Sequence, residues 1–166
     1  MAASAAHHPL FFTFKEVVSG NGFLAGIIAK GRVLLAQEED ESWWIYGVQP
    51  GGFAASGSTP QEVYAEFRTA FRSILFDFAA TSEKYEAFRQ QVEGFFAEVN
   101  EPQAMAWTEA REAFRMGKIQ ITEEAIQNLP RDDSKEMGFL ALDRLDVGGA
   151  VFAPSDNMLD RYCAAA

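Results

Sequence analysis

Hydrophobic and polar positions alternate between residues 10 and 57, which is the pattern of strands with one buried face. The pattern predicts five consecutive strands, over residues 10–18, 23–29, 32–38, 43–48 and 53–57. Glycines and small polar residues at 20–22, and Lys30-Gly31, predict tight turns. Strands that follow one another through short turns pair antiparallel, so this part of the chain is predicted to form a β-meander.

The spacing of apolar residues changes to three and four after Thr59, which is the period of an amphipathic helix. Thr59, Pro60 and Glu62 have the order of an N-cap, a first helical residue and a capping-box acid. Helical spacing continues after residues 79–81, and again from residue 101 to a C-terminal cap at Gly117. Weaker patterns then indicate a short helix over 122–129, a strand or helical turn over 139–147 and a short strand over 150–153.

These patterns predict an α+β fold: an antiparallel β-meander with a long amphipathic helix packed on one face, followed by additional helices and an irregular C-terminal segment. Residues 1–9 are interpreted as a flexible leader that contains both histidines, residues 10–100 as a core of meander and helices, and residues 101–166 as an extension packed on that core. A chain of 166 residues with 48% hydrophobic residues and 15 Phe can fill one domain core.

The chain is acidic, with 14 Lys+Arg against 24 Asp+Glu and a formal net charge of −10. This balance disfavours binding to nucleic acid or to an anionic membrane, because both are negatively charged and bind proteins through Lys and Arg side chains. No stretch approaches the roughly 20 apolar residues of a membrane-spanning helix. The single cysteine, Cys163, excludes an intrachain disulfide and fits a cytoplasmic location. We therefore expect a cytoplasmic protein whose partner is another protein, with a small basic protein as one candidate.

Four consecutive acids, Glu38, Glu39, Asp40 and Glu41, separate the third predicted strand from the fourth. The simplest interpretation is a solvated hairpin tip. The alternatives are a cation site and a contact with a basic partner. The ligand spacing and the glycine of a calcium-binding loop are absent.

In the fourth predicted strand, alternation places Trp43 on one face of the sheet and Trp44 with Tyr46 on the other. Only one face can meet the helix that starts at Thr59. The second face is therefore covered by later helices, covered by a second subunit, or left as a contact site. Because the apolar surface exceeds what one sheet face can cover, we expect a homodimer. The predicted partner-binding residues are Glu38, Glu39, Asp40, Glu41, Trp43, Trp44 and Tyr46.

The aromatic strand is followed by Pro50-Gly51-Gly52-Phe53 and then by Gly57-Ser58-Thr59-Pro60-Gln61-Glu62 at the start of the long helix. Over roughly residues 32–80 this order resembles the HicB-like antitoxin family, and its fold-motif residues here are Pro50, Gly52, Gly57, Thr59 and Glu62. The resemblance implies a small sheet with a helix on one face, in a domain that neutralises a small basic RNase toxin. It also implies a separate C-terminal module that often binds operator DNA.

Motifs of catalysis and cofactor binding are absent from the sequence. Both histidines lie in the predicted leader, which leaves no His-based triad or metal site, and no Walker A, dinucleotide-binding or nucleophile-elbow motif occurs. We expect no catalytic residue, no metal and no cofactor. The predicted function is a non-enzymatic binding or regulatory module that contacts a protein through its acidic and aromatic surface. The alternatives are a structural or interaction protein that shares only the fold, and a carboxylate-dependent enzyme.

Overall fold

A computed structural model describes residues 6–119 and 139–146 of the chain. Its elements are β1 (His7–Gly20), β2 (Phe23–Gln37), β3 (Trp43–Gln49), β4 (Ala54–Gly57), α1 (Pro60–Thr81), α2 (Tyr85–Ala97), α3 (Glu101–Arg115) and β5 (Phe139–Arg144). The predicted α+β fold, with an antiparallel meander and a long helix on one face, is confirmed. The elements predicted over 122–129 and 150–153, and Cys163, lie outside the described residues.

The sheet is built around the long strand β2. Strands follow in the order β1-β2-β3-β4, each antiparallel to its neighbour, and β5 also pairs antiparallel with β2. β1 pairs with β2 from His7 opposite Ala36 to Gly20 opposite Phe23. The other edge of β2 is therefore shared, since residues 25–30 pair with β5 and residues 32–37 pair with β3.

The turn predicted at Lys30-Gly31 is wrong, because β2 runs through both residues without a break. Pairing with β1 is continuous there, with Thr13 opposite Lys30 and Phe12 opposite Gly31. A Cβ atom at Gly31 would collide with the carbonyl oxygen of Gln49 and with the Phe12 ring. The glycine therefore permits a close approach of backbones beside the irregular pairing of β2 with β3, and it does not mark a turn.

The flexible leader predicted to extend to residue 9 is also wrong at its C-terminal end, because β1 begins at His7. Pro9 lies opposite Leu34, and His8 is buried, with its ring 6.4 Å from that of Trp43. The N-terminal end of β1 reaches nearly to the C-terminal end of β2, because Leu35 and Ala36 still pair with it. Both histidines are consequently part of the sheet, and His8 is buried in it.

The main core lies on the face of the sheet that α1 and α2 cover, called the α1 face below. Alternate strand residues supply one side of this core: Phe12, Phe14, Val18, Phe23, Ala25, Ile27, Ala29, Val33, Leu35, Trp43 and Ile45. The helices supply the other side: Val63, Phe67, Phe71, Leu75, Ala79, Phe88, Val92 and Phe96. The two sets show the periods of two and of three to four that the sequence displays.

α3 packs on the opposite face of the sheet, called the α3 face below. Trp107 is 2% exposed and packs with Leu34 and Val48. Its indole N–H donates to the Leu10 carbonyl oxygen at 3.3 Å, and its ring meets Phe11 edge to face at 5.2 Å. The sheet is therefore held between helices on both faces.

The predicted starts of α1 and α3 and the predicted end of α3 are confirmed. The Thr59 side chain accepts a hydrogen bond from the Glu62 N–H at 3.1 Å, and that of Asn100 caps α3 in the same way. Gly117 follows α3 with φ 68, and its N–H donates to the Phe114 carbonyl at 3.0 Å. These local side-chain and backbone bonds satisfy groups that a helix end leaves unpaired.

Candidate functional site

The four acids occupy the tight loop between β2 and β3. The Glu41 N–H donates to the Glu38 carbonyl at 3.0 Å, and the Glu38 N–H donates to the Ser42 carbonyl at 2.9 Å. Glu41 takes the left-handed conformation with φ 67, which favours glycine or asparagine. Glu39, Asp40 and Glu41 are exposed. The predicted solvated hairpin tip is therefore what the structure shows.

Two of the four carboxylates are fixed by hydrogen bonds inside the hairpin. Asp40 accepts from the backbone N–H of Ser42 at 3.0 Å and from its hydroxyl, and these bonds lower the pKa of the carboxyl. Glu38 accepts from the Tyr46 hydroxyl at 2.8 Å. Burial, together with this bond and the charge of Glu38, raises the pKa of Tyr46 to about 12. The carboxylates of Glu38 and Asp40 are therefore held in defined positions.

Trp44 forms the wall of a groove beside this loop. Its ring is half-exposed and stacks against Tyr46, with centroids 5.8 Å apart and planes 8° apart. Its indole N–H donates to the Ser42 hydroxyl at 3.0 Å, which fixes the orientation of the ring. The groove has a volume of about 440 Å³ and is lined by Asp40, Glu41, Ser42, Trp44, Ser56, Gly57 and Ser58. An aromatic wall and acidic residues therefore border one shallow space.

Trp43 is not part of this surface, so its assignment to the partner-binding residues is wrong. Trp43 is 5% exposed and belongs to the core on the α1 face, whereas Trp44 lies on the α3 face. The predicted alternation of the two tryptophans is confirmed. The face that Trp44 and Tyr46 share is the one that remains partly open beside α3.

The groove also includes residues that the sequence did not single out, namely Ser42, Ser56 and Ser58. Ser56 lies directly opposite Trp44 in the pairing of β3 with β4. Residues 50–53 join the two strands. Serine is too common a residue to be noticed before the strands are paired.

The residues that carry the family resemblance have structural roles. Gly57 packs against the backbone of Val63, where a Cβ would lie 2.9 Å from the Val63 nitrogen. Glu62 accepts from the Ser58 N–H at 2.8 Å and Thr59 caps the helix. Pro50 follows a cis peptide bond, and a Cβ on Gly52 would lie 3.1 Å from a Glu98 carboxylate oxygen. Pro50 and Gly52 therefore lie between β3 and β4, and Gly57, Thr59 and Glu62 lie at the junction of β4 with α1.

Within residues 6–119 and 139–146, no group of three or more histidine, cysteine or acidic side chains is placed to hold a metal ion. The acids of the hairpin loop, for which a cation site was one alternative, are among those residues. None of the helices described is both long enough and apolar enough to cross a membrane.

Comparisons of the chain with known protein families, with curated proteins and with solved structures find no match.

Proposed function

We propose that this protein is a non-enzymatic binding module that captures a protein partner at the groove beside the β2–β3 loop. The contact residues are Glu38, Glu39, Asp40, Glu41, Trp44 and Tyr46, and the serines of the groove complete them. The observation that carries the proposal is the half-exposed, oriented ring of Trp44 next to exposed carboxylates. Aromatic anchors surrounded by polar groups dominate the energetics of many protein interfaces.

The chemistry of the groove favours a cationic group of the partner. A guanidinium or ammonium group placed against the ring of Trp44 gains a cation–π interaction of about 0.5–2 kcal/mol. Asp40 and Glu41, which line the same groove, supply charges of opposite sign within reach of it. The net charge of −10 attracts a basic partner at long range and accelerates its encounter.

The partner that the HicB-like resemblance suggests is a small basic RNase, and this charge pattern suits such a protein. The residues that carry the resemblance lie between β3 and β4 and at the junction of β4 with α1, so the resemblance supports an antitoxin role only through the arrangement of elements. A basic protein partner is the broader proposal, and an RNase is its narrower form. The alternative function, an interaction protein that shares only the fold with HicB-like antitoxins, would bind a partner other than an RNase toxin.

Capture from a lysate of the native cell, quantified by mass spectrometry, tests the proposal. The bait is the full chain as wild type, as Trp44→Ala, or as the double variant Glu39→Lys/Glu41→Lys. We expect one basic protein to be enriched by the wild type and to lose about tenfold or more of its binding with either variant, as truncation of an interface anchor does. Glu83→Lys/Glu109→Lys, which reverses two exposed acids outside the groove and changes the net charge by the same amount as the double variant, is the matched control and should leave capture unchanged.

Equal capture by all four baits would overturn the groove as the binding site. Each bait is first checked for an unchanged unfolding midpoint, which Trp44→Ala should retain because its ring is half-exposed. Trp43→Ala should instead destabilise the fold, since that ring is buried. If the enriched protein has no RNase activity, the antitoxin form of the proposal fails and the binding module remains.

A further inference from the structure

Two arginines that are far apart in the sequence lie against one tryptophan on the α3 face. The guanidinium carbon of Arg32, on β2, is 5.2 Å from the centroid of the Trp107 ring, and that of Arg111, on α3, is 5.5 Å from the same ring. Each contact is a cation–π interaction. The ring itself is held by its hydrogen bond to Leu10, so the two cations are arranged around a rigid group.

Neither guanidinium has a carboxylate within ion-pair distance among residues 6–119 and 139–146. In the same part of the chain, four other arginines have such a partner, namely Arg72, Arg89, Arg115 and Arg144. Arg32 has a long contact of 3.5 Å to the Gln49 side-chain oxygen, and its buried Nε has no acceptor among the described residues. The positive charge at this point is therefore poorly compensated.

The two cations also oppose each other. Burial and then the charge of Arg111 lower the pKa of Arg32, and the charge of Glu101 raises it in part. The chain has 24 Asp+Glu against 14 Lys+Arg, so acidic residues that could form ion pairs with these two arginines are plentiful. Placing two like charges around one ring costs free energy, and an anion bound beside either guanidinium would lower that cost.

We propose that Arg32 and Arg111 form a binding site for an oxyanion, the phosphate or carboxylate group of a small-molecule ligand. The planar fork of a guanidinium matches the oxygens of both groups and forms charge-assisted hydrogen bonds with them. Both side chains are partly exposed, so a solute reaches them without opening the fold. The site is separate from the Trp44 groove, because it shares none of the residues that line the groove.

Nuclear magnetic resonance of the full chain tests this site with inorganic phosphate in one series and acetate in another. Sodium chloride keeps the ionic strength constant in both. We expect the indole N–H signal of Trp107 to shift and saturate in at least one series, while the signals of Trp43 and Trp44 stay in place. The anion whose shift saturates at the lower concentration identifies phosphate or carboxylate as the group recognised. A shift that grows linearly in both series, or no shift, overturns the proposal.

The matched variants are Arg111→Gln and Arg115→Gln, both on α3. Loss of a charge-assisted hydrogen bond should weaken binding about tenfold or more in Arg111→Gln, whereas Arg115→Gln should bind like the wild type. Equal affinities in the two variants overturn the proposal. A thermal scan provides a second readout. The bound anion should raise the Tm of the wild type and of Arg115→Gln by more than that of Arg111→Gln.

Discussion

Glu41 is the residue at which the β2–β3 loop departs from ordinary backbone geometry. Its φ of 67 belongs to the left-handed region, which costs a residue with a Cβ roughly 1–2 kcal/mol. Strain of this kind concentrates at functional sites. The residue that carries the strain also lines the groove beside Trp44, where a partner cation would lie.

Replacing Glu41 with glycine should stabilise the fold. The relief of strain exceeds the added entropy of the unfolded chain, so we expect a gain of about 0.5–1 kcal/mol in the free energy of unfolding. Urea denaturation measures it. Glu39→Gly removes the same charge from the same loop and serves as the control, and it should be neutral or destabilising. An equal gain from both variants would assign the effect to charge and not to the backbone.

Tyr46 makes the stability of the fold depend on pH at the alkaline end. Its pKa is raised from 10.0 to about 12, so the folded protein keeps this proton when the unfolded chain has released it. The contribution of protonated Tyr46 to the free energy of unfolding is complete below pH 10 and is lost as the pH rises towards 12. Tyr46→Phe should therefore lose less stability than the wild type over this interval, as measured by unfolding at fixed pH values. Identical slopes would contradict the shifted pKa.

At the scale of elements, α1 is the helix that fixes the sheet. Phe71, in its middle, is 1% exposed, and its ring lies within 4.7 Å of that of Phe14 and 5.6 Å of that of Phe12. Phe71→Ala should lower the free energy of unfolding by about 3–5 kcal/mol. Phe76, on the exposed side of the same helix, is 38% exposed, and Phe76→Ala should cost far less. A similar loss from both variants would contradict the placement of α1.

The start of α1 and both ends of α3 could be predicted because their signals are local, whereas α2 begins at Tyr85 without a side-chain cap that would mark it. Thr59, Asn100 and Gly117 cap helices through contacts with residues three or four positions away. Gly31 was misinterpreted because a glycine is needed there to avoid the carbonyl oxygen of Gln49, which lies on another strand. A single sequence does not reveal that neighbour. His8 was misinterpreted for the same reason, since its place in β1 depends on how far β2 extends.

The candidate sites show the same limit at the scale of the whole molecule. Alternation separated Trp43 from Trp44, but only the packing of α1 shows which of them is buried. Arg32 and Arg111 give no joint signal in the sequence, because nothing local places α3 against β2. The hydrophobic pattern of the sequence therefore does not predict features that depend on which face of the sheet a helix covers.

The homodimer expected from the sequence stays a prediction. The strand path ends in β1 on one side and in the four-residue strand β4 on the other, and such end strands commonly pair in symmetric dimers. Sedimentation equilibrium should show a mass twice the 18.4 kDa of the chain at high concentration. A single 18.4 kDa species at every concentration would contradict the prediction.

The shared edge of β2 has a consequence for the order in which the sheet opens. β1 joins β2 through a two-residue turn, whereas β5 reaches β2 only after the chain has passed through β3, β4 and the helices α1, α2 and α3. Closing a long loop costs more entropy, so β5 should detach before the β1–β2 hairpin does. Hydrogen exchange should then be faster in β5 than in the hairpin. Once β5 leaves, residues 25–30 of β2 present an unpaired edge, which is where a strand from another molecule would add.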